Sequence, residues 1–446
     1  MNHFIKKTVV VFCAAIQIIA LISPISVYAE DKGTVEERST PSGIAYSDLE
    51  ENIQKFIQER KSGTASVSLA VFDNSETIYQ SNYGYADIDN KLTVDENTVY
   101  EWGSVSKLLV WISVMQLYEQ GKIDLSGDIQ KYLPEGFLTK LAYNTPITMI
   151  NLMNHTAGWQ ETTYDIETKD ASKIIPLDQA LTKSEPAQIY EPGKVCAYSN
   201  WGASLAAYVV ECISGEDFND YVQKNIFAPL GMEHTSLAPD CSDNLWVQEQ
   251  RKLLNCYSIT TDSYEDYGQC ISYILLYPAG SATGTLNDFL TFAKAFVSEK
   301  EEPCPFFKNN DTLDMMLSAT SYYGDSAIPR NSHGLWTLPY SVNLFGHNGN
   351  TSGCTSTLMF DPESGTGIVI MTNECGETAY NFGLLSLLFG DYTGDGTSIT
   401  ESTKLSGMYT LSRTYDKGFT RIYHILGSLL PLSKTEDDHV YKLSIG

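Results

Sequence analysis

One helical segment limits the fold of this 446-residue chain more than any other feature. Residues Leu108–Tyr118 place Leu, Val, Trp, Ile and Met on nearly every side of a helix and include no charged residue. A helix of this kind is stable only where neighbouring elements cover it on all sides. The sequence therefore predicts a buried, central helix, which Gly121 can end.

Helix and strand patterns flank this segment on both sides. Apolar residues at helical spacing predict helices, and alternating or continuous apolar runs predict strands. The predicted helices are Asp48–Arg60, Trp201–Cys212 and Leu286–Ser298, and the predicted strands are Thr64–Phe72, Ile78–Tyr85, Ser356–Phe360 and Gly367–Thr372. Strands near both ends with helices between them favour an α/β or α+β fold in which the terminal strands share one sheet.

Residues 1–29 have the pattern of a secretory signal peptide. Lys6 and Lys7 precede an uncharged apolar run, and small residues around Ala29 form a cleavage site. An uncleaved membrane anchor is the alternative, because Thr8–Tyr28 is just long enough to span a bilayer. After cleavage we expect no stable membrane span, and we expect a secreted or cell-envelope protein.

The rest of the chain divides into four parts. Residues 30–47 are polar and are predicted to form a flexible lead, and residues 48–389 form the main domain. Residues 390–404 are rich in Gly, Thr and Ser and are interpreted as a linker. Residues 405–446 carry short strand-like pieces and are interpreted as a small, incomplete β segment.

Charge and cysteine spacing exclude several classes of function. The formal net charge is −26, whereas binding to nucleic acid or to anionic lipid requires Lys and Arg against phosphate. The nine cysteines show no C-x-x-C spacing, so we expect neither a zinc site nor a thioredoxin-type redox site. Export permits disulfides, and we expect one or two at most.

Ser104 and Lys107 form a Ser-x-x-Lys motif directly before the buried helix. Positions i and i+3 share one helix face, so the hydroxyl and the ammonium group project together. A serine becomes a nucleophile when a base takes its proton, and a lysine becomes that base when burial lowers its pKa. An ordinary surface turn of a helix is the alternative for this motif taken alone.

Two further motifs follow in order. Tyr198-Ser199-Asn200 places a tyrosine that can shuttle a serine proton beside an amide that can hold a substrate, and a helix cap with a packed tyrosine is the alternative. His347-Asn348-Gly349 places a histidine that can bind a carboxylate beside a glycine that lets a substrate backbone approach. A loop histidine is the alternative there.

The order of the three motifs resembles that of the serine penicillin-recognising enzymes. The similar branch contains the class C β-lactamases and D-Ala-D-Ala carboxypeptidases, with related esterases and D-aminopeptidases, and the resemblance covers roughly residues 48–388. Further similar stretches are Tyr100–Lys107, Gly121–Leu125, Lys131–Pro134, Ile147–Thr148, His155–Gly158, Pro229–Met232, Thr235–Ser236, Pro278–Gly280, Asp288 and Gly346–Asn373.

The resemblance implies an α+β fold and a catalytic group. An antiparallel β-sheet would be flanked by helices, and an all-helical region would border the active-site cleft. Ser104 would be the acylated nucleophile, and Lys107 with Tyr198 would act as a coupled base. This mechanism requires no metal and no cofactor.

The resemblance also implies a set of substrate-binding residues. Asn200 would orient the substrate, and His347 would stand where β-lactamases usually carry lysine. Gly349 would border the strand that pairs with the substrate. The backbone N–H of Ser104 and one near Thr351–Ser352 would form the oxyanion hole.

These observations favour an exported serine hydrolase that acts on a small peptide or a β-lactam-like substrate. D-Ala-D-Ala carboxypeptidase-like or D-amino-acid peptidase activity is expected, because His347 in place of lysine counts against β-lactamase turnover. A β-lactamase or esterase on the same fold is the first alternative. A non-catalytic peptidoglycan-binding module is the second, and the sequence leaves the oligomeric state open.

Overall fold

A large antiparallel sheet organises this protein. The computed structural model describes residues 38–162, 167–259, 263–269, 271–297, 303–324, 326–393, 407–414, 429–434 and 441–443. The chain divides into two units, residues 1–38 and 39–446, and every element named below belongs to the second. The predicted signal peptide, residues 30–37 of the predicted lead and residues 394–404 of the predicted linker lie outside the described residues.

The strands and helices run in mixed order along the chain. The strands are β1 (Ser66–Asp73), β2 (Glu76–Asp87), β3 (Leu92–Thr93), β4 (Val99–Glu101), β5 (Glu167–Thr168), β6 (Thr235–Ser236), β7 (Tyr257–Ile259), β8 (Tyr264–Asp266), β9 (Tyr273–Ile274), β10 (Thr283–Thr285), β11 (Ser321–Tyr322), β12 (Pro329–Ser332), β13 (Leu335–Pro339), β14 (Asn343–Asn350), β15 (Thr355–Phe360), β16 (Thr366–Thr372), β17 (Gly407–Thr410), β18 (Leu429–Lys434) and β19 (Tyr441–Leu443). The α-helices are α1 (Leu49–Arg60), α2 (Lys107–Glu119), α3 (Met149–Met153), α4 (Leu177–Ser184), α5 (Asn200–Ser214), α6 (Phe218–Val222), α7 (Ala228–Leu230), α8 (Leu245–Gln250), α9 (Leu286–Lys294), α10 (Asn310–Leu317) and α11 (Ala379–Phe389).

The main sheet joins the two ends of the domain. Within the described residues, nine strands pair in the order β11-β12-β13-β14-β15-β16-β1-β2-β3. Strand β1 runs antiparallel to β16, so that Val67 lies opposite Thr372 and Asp73 lies opposite Thr366. This pairing confirms the prediction that the terminal strands share one sheet.

Both faces of this sheet are covered. Successive side chains of a strand point to opposite faces, so Val67, Leu69 and Val71 of β1 pack under α1 and α11. Ala70 and Phe72 point to the other face and join the larger core, which includes α2, α5 and α9. The α+β class predicted from the sequence is therefore confirmed.

Helix α2 lies at the centre of the larger core, as predicted. Every residue from Lys107 to Leu117 is buried. A 3₁₀ turn, Gly103–Ser106, leads into the helix and is itself buried except at Ser104. The sequence thus brings a lysine to the buried first turn of α2 and leaves the serine three residues before it partly accessible.

The C-terminal strands β17, β18 and β19 form a separate antiparallel sheet. Directly after β17, residues 411–414 run along the main domain. The Glu161 N–H donates to the Thr414 carbonyl at 2.8 Å, and the Ser412 hydroxyl donates to the Cys196 carbonyl at 2.7 Å. The segment therefore lies next to the chain that leads into Tyr198.

Several described cysteines carry free thiols. They are Cys196, Cys212, Cys241, Cys304 and Cys354. The helices of the described residues include none that is both long and apolar enough to cross a membrane.

Candidate active site

The Ser-x-x-Lys motif brings a buried amine to a partly exposed hydroxyl. Lys107 Nζ lies 3.0 Å from Ser104 Oγ and donates to the Ala279 carbonyl at 2.7 Å. Burial lowers the pKa of Lys107 well below its usual value, and the positive charge of Arg413 lowers it further. The amine is thus suited to accept a proton from the serine.

The Tyr-x-Asn motif lies at the start of α5, beside Lys107. Ser199 caps this helix by accepting a hydrogen bond from the Gly202 N–H at 2.9 Å. Tyr198 precedes the cap, and its ring centroid is 4.9 Å from Lys107 Nζ. Burial raises the pKa of the Tyr198 phenol, and the Ser104 hydroxyl opposes this rise to a smaller extent. Asn200 lines the cleft beside the tyrosine.

The His-x-Gly motif lies within strand β14, not at the start of a loop. His347 is 3% exposed. Trp336 Nε1 donates to His347 Nε2 at 3.2 Å, and an indole nitrogen is only a donor. The neutral imidazole therefore carries its proton on Nδ1, which donates to the Asn348 carbonyl at 2.6 Å.

The predicted carboxylate-binding role of His347 does not fit this geometry. Both ring nitrogens are engaged within the protein, so neither offers an N–H to a substrate. Burial and the positive charge of Lys107 lower the pKa of His347 to about 3, and the ring is therefore uncharged at neutral pH. The His-x-Gly motif therefore contributes a buried, neutral ring to the lining of the cleft and does not contribute a cation.

Strand β14 has an open edge next to Ser104. Its partner β13 pairs only as far as Gly346, opposite Trp336. The Thr351 N–H donates to the Cys354 carbonyl at 2.9 Å. Because the hydrogen bonds of an antiparallel pair alternate along the strands, the N–H and C=O of Asn350 point away from β15 and toward this edge.

The chain at this edge approaches the Ser104 turn closely. A Cβ added to Gly349 would lie 2.0 Å from the Trp102 carbonyl oxygen and 3.0 Å from the Ser104 nitrogen, so only glycine fits. A Cβ on Gly103 would lie 2.7 Å from the Asn350 nitrogen. The N–H groups of Ser104 and Asn350 therefore border one space.

The two residues predicted for the strand side of the oxyanion hole lie beyond this space. The Thr351 N–H is engaged with Cys354, as described above. The Ser352 hydroxyl donates to Glu167 Oε1 at 2.5 Å. The outward-facing N–H thus belongs to Asn350, one residue before the predicted pair.

A cleft of about 480 Å³ opens over these groups. Both polar and apolar side chains line it. The lining residues are Ser104, Tyr198, Asn200, Trp336, Leu338, His347, Asn348, Asn350, Met359, Phe382 and Arg413. Among the described residues, no group of three or more His, Cys, Asp or Glu side chains could hold a metal ion.

The family comparison agrees with this geometry. The family model described as Beta-lactamase matches residues 49–386. The chain belongs to the Beta-lactamase family. The resemblance to penicillin-recognising serine enzymes is thereby confirmed.

Individual Beta-lactamase relatives are distant from this chain. "Protein flp" of Staphylococcus aureus (strain N315) is 25% identical over 194 residues, covering 43% of this chain and 39% of that protein. The match thus spans about two fifths of the length of that relative. "Penicillin-binding protein 4*" of Bacillus subtilis (strain 168) is 22% identical over 340 residues, covering 71% of each chain. The structure of a D-amino acid amidase from Ochrobactrum anthropi SV3 has a TM-score of 0.61 at 22% identity, covering 77% of this chain and 97% of that one.

Two residues that contact Tyr198 in this Beta-lactamase family member have no role in the sequence-based prediction. His155 belongs to a stretch that carries the family resemblance, and its ring lies 4.4 Å from that of Tyr198. Its Nδ1 accepts a hydrogen bond from the Ser199 N–H at 3.1 Å, and burial lowers its pKa well below the usual value. His155 therefore packs as a neutral ring that positions Tyr198.

Arg413 is the second such residue. Its guanidinium carbon lies 5.3 Å from the centroid of the Tyr198 ring. It lies outside every motif in the sequence, and no spacing pattern links it to the cleft. Only the path of residues 411–414 over the domain brings it there.

Proposed function

We propose that this chain is a serine hydrolase that cleaves a peptide amide through an acyl-enzyme on Ser104. Its expected substrates are short peptides containing D-amino acids, as in a D-Ala-D-Ala carboxypeptidase or a D-amino-acid peptidase. The observation that carries the proposal is the 3.0 Å contact between Ser104 Oγ and the fully buried Lys107 amine. The similarity to a penicillin-binding protein and to a D-amino acid amidase supports this substrate class.

Acylation begins with a proton transfer. Neutral Lys107 takes the proton of Ser104, and Oγ attacks the carbonyl carbon of the substrate amide. The charge that develops on the carbonyl oxygen is stabilised by the N–H groups of Ser104 and Asn350. The tetrahedral intermediate collapses as the carbon–nitrogen bond breaks, and the leaving nitrogen receives a proton through Tyr198.

Deacylation repeats these steps with water. The Lys107–Tyr198 pair takes a proton from water, whose oxygen attacks the ester carbonyl. The ester bond to Ser104 breaks, and Oγ recovers a proton from the pair. Because the two groups exchange protons, their titration belongs to the pair and not to either residue alone.

A penicillin probe tests this proposal. We expect the intact mass of the full chain to increase by one penicillin, and we expect Ser104→Ala to show no increase. A persistent adduct would indicate slow deacylation, as in a penicillin-binding peptidase. Consumption of the penicillin without a lasting adduct would identify a β-lactamase.

Other substrates resolve the remaining outcomes of this test. If the penicillin stays intact, hydrolysis of p-nitrophenyl esters, with none of D-Ala-D-Ala peptides, would favour an esterase. Binding of stem peptide without any adduct would favour the non-catalytic module. Full hydrolytic activity in Ser104→Ala would contradict the proposal.

We also propose that the protein is exported through residues 1–29. The basic residues, the apolar run and the small residues around Ala29 support this proposal. The molecular mass of the protein recovered from outside the expressing cell tests this proposal, because cleavage leaves a chain that starts at Glu30. An intact chain found only inside the cell would contradict export.

A further inference from the structure

Arg413 is a charged side chain at the mouth of the cleft. It lines the same cavity as Ser104, and its side chain is 45% exposed. Its guanidinium and the Lys107 amine both lie near the Tyr198 ring, at 5.3 Å and 4.9 Å from the centroid. A substrate bound at Ser104 would therefore share the cavity with this guanidinium.

The position of Arg413 is set by contacts on either side of it. Glu161, whose side chain is 8% exposed, forms an ion pair with Arg413 Nε, the guanidinium nitrogen nearest the backbone. The neighbours Ser412 and Thr414 form the hydrogen bonds to Cys196 and Glu161 described above. Such restraint before binding reduces the entropy lost when a ligand is held.

Arg413 is the charged residue in the lining of the cleft. Of the described residues that line the cavity, Arg413 alone carries a permanent charge. His347 is neutral, and both of its ring nitrogens are engaged. Glu161, the ion-pair partner of Arg413, is not among the lining residues, so the guanidinium is the charged group that a ligand in the cavity would meet.

We propose that Arg413 is a specificity residue that binds a carboxylate of the substrate, such as the C-terminal carboxylate of a short peptide. This inference rests on the proposed function, because a peptide substrate is what brings such a carboxylate into the cleft. A guanidinium matches the two oxygens of a carboxylate in a planar, charge-assisted contact. The C-terminal segment thereby supplies the cation that the His-x-Gly motif lacks.

Binding measurements on an inactive background test this role. Two peptides are compared, an N-acyl peptide ending in D-Ala-D-Ala and the same peptide ending in the D-Ala-D-Ala amide. Their Kd values are measured by calorimetry with full-length Ser104→Ala and with Ser104→Ala combined with Arg413→Gln. We expect the preference for the carboxylate peptide to fall about 10–100-fold, the range for a lost hydrogen bond to a charged group.

Two control variants sharpen this measurement. Arg413→Lys keeps the charge without the planar fork, so we expect a partial loss of the preference. Lys131→Gln removes a cation of the same 45% side-chain exposure outside the cleft, and we expect it to leave the preference intact. Circular dichroism of each variant confirms that the fold is retained.

Three results would overturn the assignment. An unchanged preference in the Arg413→Gln variant would mean that the guanidinium does not contact the carboxylate. Equal weakening of both peptides would mean that Arg413 only supports the structure of the cleft. Binding of neither peptide to Ser104→Ala would remove the proposed ligand class. The penicillin test of Ser104 is independent of all three, so failure of the proposed function remains distinguishable.

Discussion

The Ser104–Lys107 pair and Arg413 meet at the ring of Tyr198, but they reach it in different ways. The pair is three residues apart on one turn, and helical periodicity brings its two side chains together. Arg413 arrives on the C-terminal segment and is held by Glu161, 252 residues away in sequence. Local sequence therefore determines the geometry of the Ser104–Lys107 pair, whereas contacts between distant parts of the chain determine the position of Arg413.

The two regions also differ in how they treat charge. Lys107 is fully buried, and its lowered pKa suits it to the proposed role of proton acceptor. Arg413 is partly exposed and keeps its charge, since a guanidinium stays protonated in proteins. The comparison teaches that different degrees of burial suit two basic side chains near one tyrosine to the different tasks proposed for them.

Removing the Lys107 amine from the Ser104–Lys107 pair should have the largest effect on activity. We expect Lys107→Met to lower kcat/KM about 10²–10⁴-fold, the usual contribution of a general base. Steady-state kinetics on the best peptide or ester substrate would measure this loss. Lys122→Met, at an exposed position just after α2, is the matched control. A loss no greater than that of the control would show that Lys107 is not the base.

The close approach of β14 to the Ser104 turn should show the next largest effect. Gly349→Ala places a Cβ against the Trp102 carbonyl and pushes the open edge away from Ser104. We expect about a 10²-fold loss of kcat/KM, as for a displacement of about 1 Å, together with a lower Tm. Gly63→Ala is the control, because its Cβ would meet nothing nearer than 3.9 Å. Wild-type rate and Tm in Gly349→Ala would refute the close contact.

The smallest expected effect concerns the protonation state of the His347 ring. Its folded pKa, near 3, lies below the usual histidine value, so protonation occurs only in strong acid and the ring stays neutral from pH 5 to 8. Nitrogen-15 NMR of the ring should show a proton on Nδ1 and none on Nε2 throughout this range. Trp336→Phe should perturb the Nε2 signal. It should also lower the free energy of unfolding by about 0.5–1.5 kcal/mol, the net contribution of one neutral hydrogen bond. A doubly protonated ring at pH 6 would contradict this prediction and would mean that His347 can bind a carboxylate as a cation.

Much of the fold follows from residue pattern. The apolar circumference of residues 108–118 predicts the central helix, and apolar runs predict β1, β15 and β16. The pattern does not reveal that His347 lies inside a strand, because the polar sequence His347–Asn350 resembles a loop. These residues form part of β14 through pairing with β15, a contact between separate strands.

The candidate site was predictable to a different degree in each motif. The Ser104–Lys107 contact follows from spacing, and family resemblance adds Tyr198 and Asn200. Engagement of His347 by Trp336 depends on how two strands align, and a motif carries no information about that alignment. The outward direction of the Asn350 N–H likewise depends on which strand pairs form hydrogen bonds.

Arg413 also lies beyond residue 386, where the match to the family ends. The residues proposed to perform the chemistry and the residue proposed to select the substrate's charge thus lie in different stretches of the chain. Under this proposal, a replacement at position 413 weakens the preference for a peptide with a free carboxylate, and it also removes the positive charge that helps to lower the pKa of Lys107. Specificity for substrate charge and the chemistry of acylation would then be altered by substitutions in different parts of the chain.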